Sequence, residues 1–362
     1  MLRRAVLSLC LLSLVAPVCA AGAPSLAERQ NLDARVTSQL GAAFNGVVLV
    51  RAGPGKEPVV GAYGQANFEQ PRALTADSLF QIGSISKWVT SVAVLRLVDQ
   101  GKLALDTPVG AYFPELPPQV RASVTLRHLL SNTAGIPNGM GQAYKQDKTI
   151  AALPLSHAHA ALRYASAPLL FAPGSGWEYS PTTWIVVAAI IERVTGKPFS
   201  TVLNQEVFKP ATTRTMAVPR TPFKDLPGAA LAYKSTQPRE LNTSPHVVFV
   251  EASGTIYGAA ADLARLAHAV YDTSLLSVQS RQELQRIVVS KQEYALGGRV
   301  KQLNLGGRMR TVAWETGATG GSKSVLAYVP GEGKTVVVLN NTDMAQSELA
   351  EAAIALLRGL YE

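Results

Sequence analysis

The sequence has very little cysteine. The chain of 362 residues contains two, Cys10 and Cys19, and both lie in its first 20 residues. The rest of the chain therefore has no thiol for a disulfide, a zinc site or a nucleophile, which excludes cysteine-based catalysis there. Charged residues are also few, at 16%, and the excess of positive charge, +9, is scattered rather than gathered into a basic run or stripe. The composition argues against nucleic-acid binding and favours a fold held by its hydrophobic core.

Residues 1–20 have the pattern of an export signal. Arg3 and Arg4 precede an apolar run over residues 5–18, and Val18-Cys19-Ala20 reads as a small-residue cleavage site. The apolar run is shorter than the roughly 20 residues that a bilayer-spanning helix needs. We therefore predict a signal peptide over residues 1–20, no stable membrane span, and an exported protein, either periplasmic or secreted.

Hydrophobic periodicity predicts helices at both ends of the chain and strands near them. A helix is predicted over 26–43, ending near Asn45-Gly46, and a hairpin over 47–50 and 59–63 follows it. Residues 79–233 read as helices with proline-rich connections. The predicted late elements are strands at 246–250, 296–303, 324–329 and 335–339, followed by a helix at 347–361.

This order of elements is typical of an α+β fold. We predict an antiparallel sheet flanked by N- and C-terminal helices, plus a mostly helical lobe inserted between the early and late strands. Residues 21–362 are predicted to form one domain. Its α/β lobe comprises about 21–77 and 236–362, and its helical lobe about 78–235.

The segment Gly83-Ser84-Ile85-Ser86-Lys87 precedes a predicted helix. Residues three apart share one helix face, so Ser84 and Lys87 are predicted to touch. At the start of a helix, the Ser84 N–H points outward and the helix dipole favours developing negative charge. A lysine whose pKa is lowered by burial can activate a serine hydroxyl. The alternative is that Ser84 only caps the helix and Lys87 is solvated.

The motifs continue along the chain in a recognisable order. They include Leu129-Leu130-Ser131-Asn132-Thr133-Ala134-Gly135, Pro173-Gly174-Ser175-Gly176-Trp177-Glu178-Tyr179-Ser180 and Thr316-Gly317-Ala318-Thr319-Gly320-Gly321. With the Ser84 segment, they make the chain resemble the serine β-lactamase and penicillin-binding superfamily, in particular the class C branch with its DD-peptidase, esterase and D-aminopeptidase relatives. The resemblance implies a covalent acyl-enzyme at Ser84, a small-molecule or peptide substrate with an ester or amide bond, and no cofactor or metal.

The resemblance also implies roles for residues in two later motifs. Tyr179 corresponds to the tyrosine that handles the leaving-group proton, but Pro181 stands where the family has an asparagine. Proline has no amide side chain for the lysine or the substrate, so β-lactam turnover is expected to be poor. The third motif is Glu315-Thr316-Gly317-Ala318, in which the Ala318 N–H would complete an oxyanion hole with that of Ser84.

The first position of this third motif usually carries a cation, and here it is Glu315. We therefore expect Pro181, Glu315, Thr316 and Gly317 to border the substrate, and Glu315 to repel a substrate carboxylate. The expected substrate is neutral or cationic away from its scissile bond. If Glu315 instead paired with Lys87 and kept it protonated, Tyr179 would have to be the base.

Three other interpretations compete with an active serine hydrolase of this family. The altered motifs allow a binding or regulatory protein on the same scaffold that has lost efficient turnover. His157-Ala158-His159 suggests a metal site, but two helical residues at this spacing face different directions. A hydrolase of the α/β type is disfavoured because the chain has no G-x-S-x-G segment and no regular alternation of strands and helices.

Overall fold

The computed structural model describes residues 23–242 and 247–362; the predicted signal peptide, residues 1–20, lies outside the described residues. The strands are β1 (Gly46–Arg51), β2 (Val59–Tyr63), β3 (Gln65–Asn67), β4 (Arg72–Ala73), β5 (Phe80–Gln81), β6 (Tyr233–Thr236), β7 (Arg239–Leu241), β8 (Tyr257–Gly258), β9 (Arg299–Leu305), β10 (Arg308–Thr319), β11 (Ser322–Val329) and β12 (Lys334–Asn340).

The α-helices are α1 (Leu26–Leu40), α2 (Ile85–Asp99), α3 (Pro118–Ser123), α4 (Leu126–Leu130), α5 (Gly139–Gln146), α6 (His157–Tyr164), α7 (Pro181–Thr195), α8 (Phe199–Leu203), α9 (Glu251–Gly254), α10 (Ala260–Asp272), α11 (Val278–Gln285) and α12 (Gln346–Arg358). A π-helical turn at Asn204–Phe208 continues α8. Short 3₁₀ helices lie at Val109–Ala111, Lys148–Ala152, Phe223–Asp225, Val248–Val250 and Ser290–Gln292.

The main sheet is antiparallel, with the strand order β2-β1-β12-β11-β10-β9. The predicted hairpin is confirmed, since β1 pairs with β2 and places Val48 opposite Gly61. On its other side β1 pairs with β12, with Val48 opposite Val338. The sheet thus joins the early strands to the late ones, while most helices lie between them in sequence. The predicted α+β class is confirmed.

Helices cover both faces of this sheet. The terminal helices α1 and α12 pack on one face through Leu32, Val36, Leu349 and Leu356, against strand residues that include Val48, Val336 and Val338. The other face belongs to a larger core that also includes buried side chains of α2, α7 and α10. Burial on both faces explains why β1, β11 and β12 appear as nearly unbroken apolar runs. Within residues 23–242 and 247–362, no helix is both long and apolar enough to cross a bilayer.

Several element boundaries differ from the predicted ones, and glycines explain two of these differences. Helix α1 ends at Leu40, because Gly41 has φ +78° and its N–H donates to the Thr37 carbonyl at 3.0 Å. The predicted end near Asn45-Gly46 is wrong, since Gly46 is the first residue of β1. The strand predicted at 296–303 begins only at Arg299, because Gly297 has φ +82° and turns the chain.

The strand predicted at 246–250 is also wrong where the structure describes it. Residue 246 lies outside the described residues, and Val248–Val250 form a 3₁₀ helix that leads into α9. The side chain of Phe249 is fully buried. A short β-branched run is compatible with a buried helical turn as well as with a strand, so its apolar character alone did not distinguish them.

Candidate active site

Ser84 stands at the start of α2, as predicted, and its hydroxyl does not cap the helix. The residue occupies the N-cap position with φ −63° and ψ −11°, without a side-chain bond to the helix backbone. Instead, its Oγ accepts a hydrogen bond from Lys87 Nζ at 3.1 Å. The capping alternative is therefore wrong, and the Ser84 hydroxyl is left available to react beside the positive end of the α2 dipole.

Lys87 is buried, with 3% of its surface exposed. Its Nζ donates to the Ser253 carbonyl at 2.7 Å as well as to Ser84 Oγ. Burial lowers the pKa of the Lys87 ammonium, and the neighbouring Tyr179 offsets this effect only in part. A lysine held against a serine hydroxyl, with its neutral form favoured, is suited to accept the serine proton.

Tyr179 lies on the other side of the lysine. Lys87 Nζ is 4.7 Å from the centroid of the Tyr179 ring. The ring also contacts two aromatic neighbours, with centroids 5.7 Å from Trp177 and 6.3 Å from Tyr294. These contacts hold the phenol beside the ammonium, so that Ser84, Lys87 and Tyr179 form one cluster.

Two glycines let the Ser84 segment approach β10 closely. Gly83 has φ +53°, and a Cβ built on it would lie 2.6 Å from the Ala318 backbone nitrogen. A Cβ on Gly317 would lie 2.0 Å from the Ile82 carbonyl oxygen, which accepts a hydrogen bond from Ser324 Oγ at 2.8 Å. The backbone N–H of Ala318 is therefore beside the residue that precedes Ser84, where a second oxyanion donor is needed.

These residues open into a cleft. A cavity of about 290 Å³ is lined by Ser84, Trp177, Tyr179, Arg299, Thr316, Gly317, Ala318 and Gln346. The nucleophile, the tyrosine and the end of β10 therefore face the same space. Thr316 and Gly317 border the cleft, in agreement with their predicted positions.

Glu315 does not lie where the sequence predicted. It is 3% exposed and is absent from the cleft lining, because neighbouring side chains on β10 alternate between faces. A Cβ on Gly298 would fall 2.0 Å from both Glu315 carboxyl oxygens, so this glycine lies directly against the carboxyl group. Burial raises the pKa of Glu315 well above its ordinary value, and Arg299 opposes that rise.

Glu315 therefore has neither of the two roles expected of it. It does not meet substrate in the cleft, so the predicted repulsion of a substrate carboxylate is wrong. Within the described residues it also forms no ion pair with Lys87, whose Nζ instead bonds Ser84 and Ser253. The condition under which Tyr179 would have to replace Lys87 as the base is not met.

Pro181 is likewise not part of the cleft lining. It is the first residue of α7, and the buried Ser180 caps that helix by accepting from the Thr182 N–H at 3.1 Å. Proline is favoured at this position because its fixed φ suits a helix start and it has no N–H to leave unpaired. The structure therefore does not place Pro181 in the cleft lining, and its role as a substrate contact stays a prediction; the site has no amide side chain at residue 181.

Residues that the sequence did not single out complete the site. Ser253 supplies the carbonyl that holds Lys87, and Arg299 and Gln346 line the cleft. Tyr294 is buried and packs edge-on against Tyr179. Neither Arg299 nor Gln346 carries a sequence signal that marks it as a cleft residue.

The histidines that suggested a metal site have an ordinary structural setting. His157 is buried at the start of α6, with its Nδ1 3.1 Å from a Glu192 carboxylate oxygen. His159 follows on α6, where its N–H donates to the Ser156 cap at 3.2 Å. Across the part of the chain that the structure describes, no three His, Cys, Asp or Glu side chains are grouped to hold a metal ion.

Comparisons with known proteins identify the family of this chain. A family model described as beta-lactamase matches residues 32–360. Esterase EstB of Burkholderia gladioli is 37% identical over 46% of this chain and 45% of its own length. Penicillin-binding protein 4* of Bacillus subtilis (strain 168) is 27% identical over 83% of the chain and 68% of its own length. The matched region thus spans less than half of the esterase.

A solved structure shares the fold. The penicillin-binding protein from Bacillus halodurans superposes with a TM-score of 0.76 at 24% identity, and the match covers 90% of this chain and 98% of that one. At this identity the likeness concerns the fold alone. It agrees with the antiparallel sheet and flanking helices described above.

Proposed function

Since this chain belongs to the beta-lactamase family, we propose that it is a serine hydrolase that cleaves an ester or amide bond through a covalent acyl-enzyme at Ser84. The observation that carries the proposal is the 3.1 Å hydrogen bond from the buried Lys87 Nζ to Ser84 Oγ. A solvated lysine would be protonated at neutral pH and unable to act as a base. Burial lowers the pKa of the Lys87 ammonium and so favours the neutral form that can accept a proton.

The proposed reaction begins when neutral Lys87 takes the Ser84 proton and Oγ attacks the carbonyl carbon. The resulting oxyanion accepts hydrogen bonds from the N–H groups of Ser84 and Ala318. The carbon–oxygen or carbon–nitrogen bond then breaks, and the proton passes from Lys87 through the Tyr179 hydroxyl to the leaving group. Water attacks the acyl-enzyme and gives its proton to Lys87 by the same route. Lys87 returns this proton to Ser84 Oγ as the acyl–oxygen bond breaks, which releases the acid, free Ser84 and neutral Lys87.

The proposal also covers the branch of the family, the location of the protein and the reaction to test first. We place the chain near the class C branch, because the order of its motifs resembles that branch. Residues 1–20 have the pattern of an export signal, so we propose that the protein works in the periplasm or outside the cell. The similarity to an esterase, at 37% identity over 46% of this chain, favours ester cleavage as the first activity to test.

A substrate panel tests this function. We expect hydrolysis of short p-nitrophenyl esters or of D-amino-acid anilides, and turnover of a chromogenic cephalosporin at least about 100-fold slower, because Pro181 provides no amide for an acylamino carbonyl. Initial rates are measured on wild type and on Ser84→Ala. Rapid cephalosporin turnover would contradict the specificity. Inactivity on every class, together with failure to react with a fluorophosphonate, would favour a binding protein on the same scaffold.

The close approach of Gly83 to β10 gives a second test. Gly83→Ala is expected to lower ester kcat/KM by about 10- to 100-fold, because a Cβ would push against the Ala318 nitrogen and displace one of the two groups that form the oxyanion hole. Gly101→Ala is the matched control, since Gly101 also has positive φ, +70°, but a Cβ there has no neighbour within 4 Å. Both variants are assayed for ester hydrolysis and thermal unfolding. Equal loss of activity in the two would show that backbone strain alone, rather than contact with β10, is responsible.

A further inference from the structure

We propose that Asn132 is a positioning residue for Tyr179, and that it holds the phenol where the hydroxyl can pass a proton to the leaving group. This inference rests on the proposed function and adds a residue to its machinery. Asn132 lies in the turn that follows α4, outside the cleft lining, so it acts through the tyrosine rather than on the substrate.

The backbone of Asn132 has a conformation that few residues adopt. Its φ is +58°, in the left-handed region, where asparagine is tolerated better than most other non-glycine residues. The residue is also buried, with 1% of its surface exposed. Its N–H donates to the Leu129 carbonyl at 3.1 Å, which ties the turn to the end of α4. A buried residue held in this conformation points to a function for the turn.

This turn holds the segment that carries Tyr179. The Asn132 carbonyl accepts a hydrogen bond from the Glu178 N–H at 2.9 Å, one residue before the tyrosine. The Thr133 carbonyl accepts another from the Gly174 N–H at 2.8 Å. Two backbone hydrogen bonds therefore fix this segment, and the position of the Tyr179 backbone depends on the turn.

The Asn132 side chain holds the helix on the other side of Tyr179. Its Oδ1 accepts a hydrogen bond from Trp184 Nε1 at 3.1 Å, and Trp184 is fully buried in α7, which begins at Pro181. Tyr179 thus lies in a stretch of chain that is bonded to one residue at both ends, at Glu178 and at Trp184. Asparagine can do this because its backbone carbonyl and its side-chain carbonyl accept independently.

The same turn also reaches the aromatic ring that packs on Tyr179. Gly297, three residues after Tyr294, donates its N–H to the Leu130 carbonyl at 2.9 Å. Burial raises the pKa of the Tyr294 phenol well above its ordinary value, and the Asn132 side chain opposes that rise, so the amide lies beside the phenol. The Tyr294 ring contacts Tyr179 edge-on, with the centroids 6.3 Å apart. Asn132 therefore influences Tyr179 through the backbone before it, the helix after it and the ring beside it.

The leaving group determines how much a misplaced Tyr179 costs. In the proposed reaction, the proton of Lys87 passes through the Tyr179 hydroxyl to the leaving oxygen as the carbon–oxygen bond breaks. A p-nitrophenolate is a stable anion and needs little help from a proton donor, whereas a p-methoxyphenolate is more basic and needs the proton. A fault at Tyr179 should therefore slow the p-methoxyphenyl ester much more than the p-nitrophenyl ester, while damage to Ser84 or Lys87 would slow both.

Two acetate esters with different leaving groups test the assignment. The readout is kcat/KM for p-nitrophenyl acetate and for p-methoxyphenyl acetate, which form the same acetyl-enzyme and differ only in the group that acylation releases. Asn132→Gly removes the side chain and still permits the left-handed backbone. We expect it to lower kcat/KM for the p-methoxyphenyl ester by about 10- to 100-fold and for the p-nitrophenyl ester by less than about threefold. Tyr179→Phe, which keeps the ring without its hydroxyl, should give the same difference between the esters.

A double variant shows whether Asn132 acts through the tyrosine. In Tyr179→Phe the proton route is already lost, so adding Asn132→Gly should lower kcat/KM for the p-methoxyphenyl ester by less than about a further threefold. The matched control is Asn45→Gly, which removes a buried amide that donates to the Gln65 carbonyl at 2.8 Å outside the cleft lining. The control should affect both esters equally or neither. Equal losses on both esters in Asn132→Gly, full additivity in the double variant, or unchanged rates would overturn the proposal.

Trp184→Phe provides a second variant in case Asn132→Gly does not fold. It removes the indole N–H that bonds Asn132 Oδ1 and keeps an aromatic side chain in α7. We expect it to lower kcat/KM for the p-methoxyphenyl ester about 3- to 10-fold more than for the p-nitrophenyl ester. The same loss on both esters would count against the positioning role.

A spectroscopic measurement separates this inference from the proposed function. 3-Fluorotyrosine placed at residue 179 reports the surroundings of the ring by fluorine NMR without any turnover. We expect one sharp resonance in the otherwise wild-type protein, a shifted or broadened resonance in Asn132→Gly, and no change in Asn45→Gly. Should the wild type hydrolyse nothing while this difference holds, the positioning role stands and the hydrolase proposal fails. An unchanged resonance in Asn132→Gly would contradict the positioning role even in an active enzyme.

Discussion

Ser84→Ala is expected to lower kcat/KM for an accepted ester by about 10⁴-fold or more while leaving the fold intact. The Ser84 hydroxyl forms the covalent bond to the acyl group, which divides the reaction into acylation and deacylation. The variant has no hydroxyl at this position to form that bond. Its loss should have little effect on stability, since Ser84 Oγ contributes no cap to α2. The measurement is steady-state ester hydrolysis, with thermal unfolding to verify folding.

The matched control for this variant is Ser86→Ala. Ser86 lies two residues further along α2, is buried, and its Oγ accepts a hydrogen bond from the Ile256 N–H at 3.2 Å. Removing it should cost about 1–3 kcal/mol of stability because the Ile256 donor loses its partner, yet Ser84 should still react. If Ser84→Ala kept more than about a tenth of wild-type activity, Ser84 would not be the nucleophile.

Lys87→Met is expected to reduce kcat/KM by about 10²- to 10⁴-fold, the usual contribution of a positioned general base. In wild type, kcat/KM should rise with pH as Lys87 loses its proton, and should reach its plateau below the ordinary lysine pKa because burial lowers the pKa of this residue. The methionine variant should lack that ascending limb. The exposed Lys102, just beyond α2, offers a control, and Lys102→Met should leave the profile unchanged.

Lys87→Met is expected to raise the stability of the fold although it lowers the activity. Because the pKa of Lys87 is lower in the folded chain than in the unfolded chain, the unfolded chain binds more protons between the two values, and the free energy of unfolding of wild type rises with pH across that range. Lys87→Met removes the cost of burying the ammonium, so the variant should be more stable than wild type at pH 7 by about 1–3 kcal/mol. The difference should shrink toward pH 10.

Urea unfolding at several pH values measures this effect. A methionine variant destabilised at pH 7 by several kcal/mol would contradict it. That result would mean that the bonds from Lys87 Nζ to Ser84 and Ser253 stabilise the fold by more than burial of the ammonium costs.

The sequence predicted the elements whose residues are apolar in long runs. The strands β1, β11 and β12 are buried on both faces, so their composition alone indicates them. Hydrophobic periodicity did not indicate β10 along its length. The residues of this strand include arginines near its exposed start and Glu315 in its buried middle, and these interrupt the apolar pattern. The family resemblance placed the motif at its end on a strand, but hydrophobic periodicity did not indicate the rest of that strand.

The contact between Ser84 and Lys87 followed from helix spacing, and the structure places Tyr179 and Ala318 around them. The sequence did not show which face of β10 each residue of the third motif occupies. The family resemblance suggested that Glu315 borders the substrate, whereas Gly298 leaves room for its carboxyl in the interior. Arg299 reaches the cleft from a neighbouring strand, a relation that depends on sheet register and carries no local signal.

The most direct test of the account is reaction of the purified protein with a fluorophosphonate, followed by intact mass measurement and peptide mapping. We predict one adduct per molecule, located on Ser84, and none on Ser84→Ala under the same conditions. Folded wild-type protein that gains no adduct, or an adduct that maps to another residue, would contradict the assignment of Ser84 as the nucleophile.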